Sequence, residues 1–283
     1  MGQGSILQKV QVLVLIPLLS FVLSCCNFNL FSEFAQEDTE AALFMAAKLY
    51  INKGQWDKAI ASLEIMSGEF LAKREVARIH ASAYAGRCGL DLLALVENLS
   101  KTSSSSLFQL LMAQHKSVTT DQREDCQQAE TIIKGISNDL AQRTIDENIL
   151  MIFVSLTKVG VILNAHADSD DSNGEPDSGW DACADNADNL PEASAREVGA
   201  GMGTALVNLE AISEKTKIGS GQTSALTDIC DTLEGLNPDF DFCSITDPSS
   251  YSEDQVKGIR SIIQSKEVGL GTCDDILENC LCS

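Results

Sequence analysis

The chain has 283 residues and a net charge of −21, with 41 Asp+Glu against 20 Lys+Arg. A body that acidic repels nucleic-acid phosphates and anionic headgroups, which excludes both as direct partner surfaces and favours divalent cations or a basic protein partner. Aromatic content is 5 %, and alanine and leucine are abundant, so helices fit better than a sandwich or barrel, with length enough for one large core or two modest ones.

The first element is the apolar run Val10–Val22, preceded by Lys9 and ending in Val22-Leu23-Ser24-Cys25. It falls short of the roughly 20 residues a spanning helix needs, and has the length of a signal-peptide core with a cleavage site where the run stops. Its Leu-Ser-Cys ending resembles the lipobox of bacterial lipoproteins. The resemblance implies a signal peptide over 1–24, acyl chains on Cys25 and a lipidated tether over 25–37. It further implies a chain anchored in the cell envelope and facing the periplasm, with the outer membrane favoured because Cys26, not aspartate, follows the anchor. Loss of the leader removes Lys9 and no acid, leaving −22.

Asp38-Thr39-Glu40 offers helix-starting chemistry, and Ala42, Leu43, Ala46, Ala47, Leu49 and Tyr50 form an apolar stripe at helical spacing. Gly54 breaks it, and Trp56, Ala59, Ile60 and Leu63 begin a second stripe. Ala81 and Tyr84 follow Ala47 and Tyr50 by 34 residues. The block Leu43-x3-Ala47-x2-Tyr50-x3-Gly54-x-Trp56-x2-Ala59-x3-Leu63 resembles a tetratricopeptide repeat, with a weaker copy after it. Met66, Leu71 and Asp91 depart from that pattern. The resemblance covers 38–102 and implies stacked hairpins presenting a groove to a protein or peptide, with Lys48, Tyr50, Trp56 and Tyr84 nearest it. Lipoproteins associated with TRAP-type transporters share this architecture.

Residues 103–164 read as a helical core: a turn at Ser103–Ser106, a stripe through Leu107, Leu110 and Leu111, a polar helix over 121–134, and a helix over 145–163 apolar nearly all round. Asp146, Glu147, Asn148 and Lys158 interrupt the last, which fits a central buried helix and not a membrane span. Residues 165–192 form an acidic loop without Lys or Arg. Asp168-Ser-Asp170-Asp171-Ser-Asn173-Gly174-Glu175-Pro176-Asp177 resembles the aspartate-rich calcium loops of EF-hands and thrombospondin type-3 repeats. Alternate oxygen ligands around a glycine turn suit Ca²⁺, and Asp181 could close the loop. Two readings stay open, a solvated loop and a Ca²⁺ site built from Asp168, Asp170, Asp171, Asn173, Glu175, Asp177 and Asp181. Ca²⁺ is the one cofactor indicated.

Residues 193–283 read as a cysteine-rich helical part, with helices over 195–214, 224–236, 252–265 and 273–281. Gly199, Gly201 and Gly203 fit close helix approach better than phosphate binding. Beyond Cys25 and Cys26 stand Cys88, Cys126, Cys183, Cys230, Cys243, Cys273, Cys280 and Cys282, an even number compatible with four disulfides in an oxidising compartment. A helical tail separates Cys273 from Cys280 by about 10 Å, too far for a disulfide, so the tail cysteines are expected to reach Cys230 and Cys243.

His80, His115 and His166 lie outside any nucleophile-elbow setting, and Gly-x-Ser-x-Gly is absent. Carboxylates near His166 are expected to favour its protonated form. The expectation is an all-α, non-catalytic envelope lipoprotein: tetratricopeptide-like hairpins continuing into a disulfide-stapled bundle, held to the membrane by its lipid and binding a protein or peptide partner. The alternative is a calcium-binding or structural envelope lipoprotein working through 168–181.

Overall fold

The computed structural model describes residues 39–94, 106–115, 118–170, 173–216, 230–232, 234–266, 269–273 and 277–282; Cys25 and the leader lie outside them. The chain divides after Leu43. Of the first unit only 39–43 are described, and there Thr39 opens helix α1 (Glu40–Asn52) as its hydroxyl accepts from the Ala42 amide at 3.2 Å. Everything else belongs to the second unit, Phe44–Ser283.

The fold is all-α: no strand occurs among the described residues. Gly54, at φ 66°, turns the chain from α1 into α2 (Trp56–Glu64). Ser67 caps the single turn α3 (Gly68–Leu71), and α4 (Arg74–Cys88) ends at Gly89, whose φ of 108° suits a residue without Cβ. Ala59, Ile60 and Leu63 of α2 and Val76, Ala77, Ala81 and Tyr84 of α4 are buried, and the two helices pack together. Residues 92–94 are helical, and the expected second repeat copy beyond them lies outside the described residues.

Three later helices start on capping boxes. In α6 (Thr120–Ile136) the Thr119 amide donates to Gln122 at 2.9 Å; Thr144 with Glu147 opens α7 (Ile145–Ala167), and Ser252 with Gln255 opens α9 (Glu253–Gln264). Before them lies α5 (Leu107–Met112), capped by Ser106, and between α7 and α9 lies α8 (Glu192–Thr216). The main core joins Phe108 and Leu111 of α5, Ile162 and Leu163 of α7, Val198 and Met202 of α8, and Ile259 and Ile262 of α9, with Trp180, Leu190 and Phe242 from loops. As expected, α7 is a mostly buried central helix. It is also long and apolar enough to cross a membrane by length and composition alone.

The glycine-rich start of α8 is explained by approach distance. A Cβ at Gly201 would sit 2.7 Å from Val159 and 3.1 Å from the Ser155 carbonyl of α7, and one at Gly199 would strike Ile259 of α9. At Gly203 the neighbour is not a helix but the Ile245 carbonyl, which brings the 243–246 segment flat onto α8.

The eight cysteines among the described residues are paired: Cys88–Cys126, Cys183–Cys282, Cys230–Cys243 and Cys273–Cys280. Two expectations fall here. The tail is not a helix over 273–281; its one described helical stretch is the 3-10 turn Leu277–Asn279, with Gly271 before it at φ 70°. The chain therefore doubles back, Cys273 and Cys280 come to a Cα separation of 5.9 Å, and they bond to each other instead of reaching Cys230 and Cys243. Cys230 and Cys243 join one another, and Cys183 ties the end of the acidic loop to Cys282.

Candidate functional site

The residues nearest the expected groove divide into two kinds. Tyr84 is buried on α4, and its hydroxyl donates to Glu64 Oε1 at 2.5 Å; burial, and then that carboxylate, push its pKa up to about 12. Trp56 lies flat over α4, where a Cβ at Gly86 would come within 2.6 Å of the indole. Both are packing residues. Lys48 and Tyr50, on α1, stay partly open. Lys48 lies 3.5 Å from Glu75 and 5.2 Å from the Phe44 ring centroid, while Lys58 stands 5.7 Å from that of Tyr50.

The informative residues are others. Between Glu40 and Asn52, α1 buries only Ala47, while Met45 and Leu49, one turn apart on one face, are 63 % and 52 % exposed. Ile65, at the end of α2, is 69 % exposed. The sequence held a signal for this. Phe44-Met45-Ala46-Ala47 and Leu49-Tyr50-Ile51 make α1 apolar all round, a pattern that requires cover on every side. Lys48, Lys53, Lys58 and Lys73 stand in the same block.

Charge is distributed unevenly. Residues 44–88 carry seven Lys+Arg and four Asp+Glu in a chain of net charge −21. Three of the seven face inward, onto acids of α6 and α7. Arg74 holds the fully buried Glu147 in a two-point bridge at 2.7 and 2.5 Å, and its guanidinium, first among several contacts, keeps that carboxyl below its ordinary range. Arg78 reaches Asp146 at 3.6 Å. Arg87 grips the buried Asp125 with two bonds of 2.7 Å and Asp57 with one of 3.1 Å, immediately beside the Cys88–Cys126 link. The basic block is thus welded to the acidic body by bidentate pairs and a covalent bond.

In the acidic loop, carboxylates serve the backbone. Asp168 is fully buried at the end of α7, and its oxygens accept from the Asn173 amide at 3.0 Å, the Gly174 amide at 2.9 Å and the Asn164 side chain at 3.1 Å. Asp177 accepts from the Ser169 amide at 2.9 Å and the Ser169 hydroxyl at 2.8 Å, and from the Asp170 amide at 3.4 Å. Asn173 takes the Glu175 amide at 2.7 Å, and Asp181 takes the Cys183 amide at 2.8 Å. Asp168 and Asp177 thus close the loop on themselves, and Asp171 lies outside the described residues. Among the described residues no group of three His, Cys, Asp or Glu is placed to hold a metal.

The histidines are all held below their ordinary pKa, chiefly by burial. His115, packed against Gly89 and Gly160, is lowered to about 4; His80 lies 5.2 Å from the Tyr84 ring. For His166 this reverses the sequence expectation. Its charged neighbour is Arg123, not a carboxylate, so burial and then a nearby cation both favour the neutral ring. His166 Nε2 lies 2.9 Å from Ser194 Oγ, a pairing that 28 residues of separation concealed. Ser194 is buried, and Arg123, itself bridged to Glu197, would oppose the imidazolium that general-base chemistry requires.

No family model matches this chain, and neither does any curated protein or solved structure.

Proposed function

We propose that the protein is an envelope-anchored lipoprotein, held by acyl chains on Cys25, that acts as a non-catalytic docking module through the α1–α2 face of its tetratricopeptide-like block. The observation that carries this reading is α1 itself, which buries Ala47 alone while presenting Met45 and Leu49. Apolar side chains aligned one turn apart are the anchors an amphipathic partner segment uses, and lysines around them suit a segment with acidic flanks. The body behind contributes rigidity: the Cys88–Cys126 disulfide and bidentate bridges hold α4 on α6 and α7, so α1 and α2 rest on a fixed platform.

On this reading the acidic loop is a hydrogen-bonded staple between α7 and α8. The Ca²⁺ alternative would require Asp168 or Asp177 to exchange amide donors for the cation.

The test uses the full-length chain in envelopes, with a photo-crosslinking residue at position 45 or 49. Expected is one discrete protein adduct, competed by excess soluble chain and lost from the position 45 probe on Leu49→Asp, while disulfides and melting temperature stay unchanged. Adducts with lipid alone, or equal adducts from Leu49→Asp, would overturn the docking face. Mass spectrometry of the mature amino-terminal peptide tests the anchor, since an unacylated Cys25 removes it.

A further inference from the structure

Two sizeable cavities open on α8, and they differ in charge. The larger, of about 450 Å³, is lined by Glu210, Asp231, Glu234 and Asp241 beside the Cys230–Cys243 link. The other, of about 360 Å³, lies between the end of α6, the turn into α7 and the 246–248 segment. Its polar lining includes Lys134, Asn138, Arg143, Thr204 and Asn208, and its apolar lining includes Met151 and Val207.

Arg143 decides what the second cavity suits. It is 4 % exposed, yet has no carboxylate within ion-pair distance among the described residues, unlike Arg74, Arg87 and Arg123. Two of its five N–H donors are used: Nε donates to the Ser137 carbonyl at 2.8 Å and one terminal nitrogen to Asn208 Oδ1 at 3.1 Å. Asn208 in turn donates to the Thr204 carbonyl at 2.7 Å, which fixes the amide and, through it, the guanidinium. The Thr204 side chain is buried on the cavity lining, one turn from Asn208. Lys215 donates to the carbonyls of Leu140 and Arg143, placing a further cation behind the same turn.

The acids facing this group are accounted for. Glu147 is held by Arg74. Asp139 accepts from the Ala141 amide at 2.9 Å. Asp247, exposed on the cavity lining, is held below its ordinary pKa first by the Ser249 hydroxyl and amide and further by Lys134. A buried guanidinium without a carboxylate is costly in any protein, and more conspicuous in one with 41 acids.

We propose that the Arg143 cavity binds a small organic oxyanion, a carboxylate or a phosphate, with Arg143 as the charged floor, Thr204 and Asn138 as neutral polar contacts, Lys134 as the cation at the opening and Met151 and Val207 against the ligand's carbon skeleton. The site stands apart from α1 and does not depend on the docking reading. An anion here would supply the counter-charge that the fold leaves out, in a cavity within the size range of small-ligand sites.

The experiment is calorimetric titration of the full-length chain with sodium succinate and, separately, sodium phosphate, against sodium chloride of matched ionic strength. Expected is saturable one-to-one binding of at least one probe, weakened about tenfold or more by Lys134→Gln and by Thr204→Val, the first of which sits at the surface and leaves the fold intact. Arg143→Gln should abolish binding, with circular dichroism checking that it remains folded. Saturation by succinate alone assigns an organic acid, and by phosphate alone a phosphate. Failure of both probes to saturate, or unchanged affinity in both Lys134→Gln and Thr204→Val, overturns the site.

Discussion

The block from Phe44 to Cys88 and the body from α5 onward are stabilised in opposite ways. The body buries its helices on most sides: α7 and α8 are mostly enclosed, glycines draw α8 onto α7 and α9, and three disulfides cross-link its loops. The block has one well-packed helix, α4, and then thins outward to α1, which encloses a single alanine. What joins the two is the apolar cluster of Ala81, Ile133 and Met151, block arginines on body carboxylates, and the Cys88–Cys126 link. Apolar side chains left uncovered, as in α1, add little to stability, whereas enclosed ones, as in α7 and α8, carry the fold.

That contrast can be broken first from the body side. Replacing Cys183 and Cys282 by serine opens a ring spanning 99 residues, and chain entropy sets the expected loss at about 4–5 kcal/mol, read by denaturant melting; the 7-residue Cys273–Cys280 ring should cost less. Next comes the enclosed pair of Lys158 on α7 and Glu130 on α6, 2.7 Å apart with Ser155 also bonded to Glu130. Lys158→Met leaves a buried carboxylate uncompensated and should cost about 4 kcal/mol, while Lys158→Met combined with Glu130→Leu should recover most of it.

Acid sharpens the comparison. His115 titrates near 4 when folded and near its ordinary 6.5 when unfolded, so the unfolded chain binds the extra proton between those values. Stability is therefore full above about pH 6.5 and falls as pH drops toward 4, by on the order of 3 kcal/mol from this residue. The lowered pKa values of His80 and His166 act in the same direction, and His115→Gln should flatten part of the slope seen in thermal melts at pH 4.5 to 7. At the junction, Arg87→Met strips Asp125 of its partner and should cost about 1–2 kcal/mol, since the guanidinium is a third exposed and solvent screens it. The smallest effect belongs to the block's outer face: Met45→Ser with Leu49→Ser should change stability by under about 0.5 kcal/mol while removing partner capture. A large destabilisation there would mean that α1 is core.

Much of the helical plan was legible. Threonine and serine with Glu or Gln three residues on mark the starts of α6, α7 and α9, and apolar spacing marks α4 and α8, because capping and periodicity are local. What sequence could not reveal was pairing across distance. Arg74 and Glu147 are 73 residues apart, Arg87 and Asp125 are 38 apart, and nothing near either predicts its partner. The tail failed for a different reason. Its spacing permits a helix, and only the turn at Gly271 and the closure of Cys273 on Cys280 exclude it. In the acidic loop, residue type left a solvated loop and a Ca²⁺ site both open, and the backbone amides that Asp168 accepts from could not be read from residue type. The proposed surface was half legible: Lys48 and Tyr50 lie on α1, and the all-round apolar pattern that leaves Met45 and Leu49 exposed is present in the sequence but reads as a buried stripe when only one face is counted.

The Cys183–Cys282 bond has a practical corollary. It encloses the two smaller rings, so a protease that cuts α8, or the segment after it, yields two pieces that migrate as one until a thiol is added. Nicking of that half would pass unnoticed on a non-reducing gel and leave the sulfur-linked halves in register, whereas a cut between α1 and α2 falls where no disulfide among the described residues bridges the chain, so its two pieces separate on the same gel.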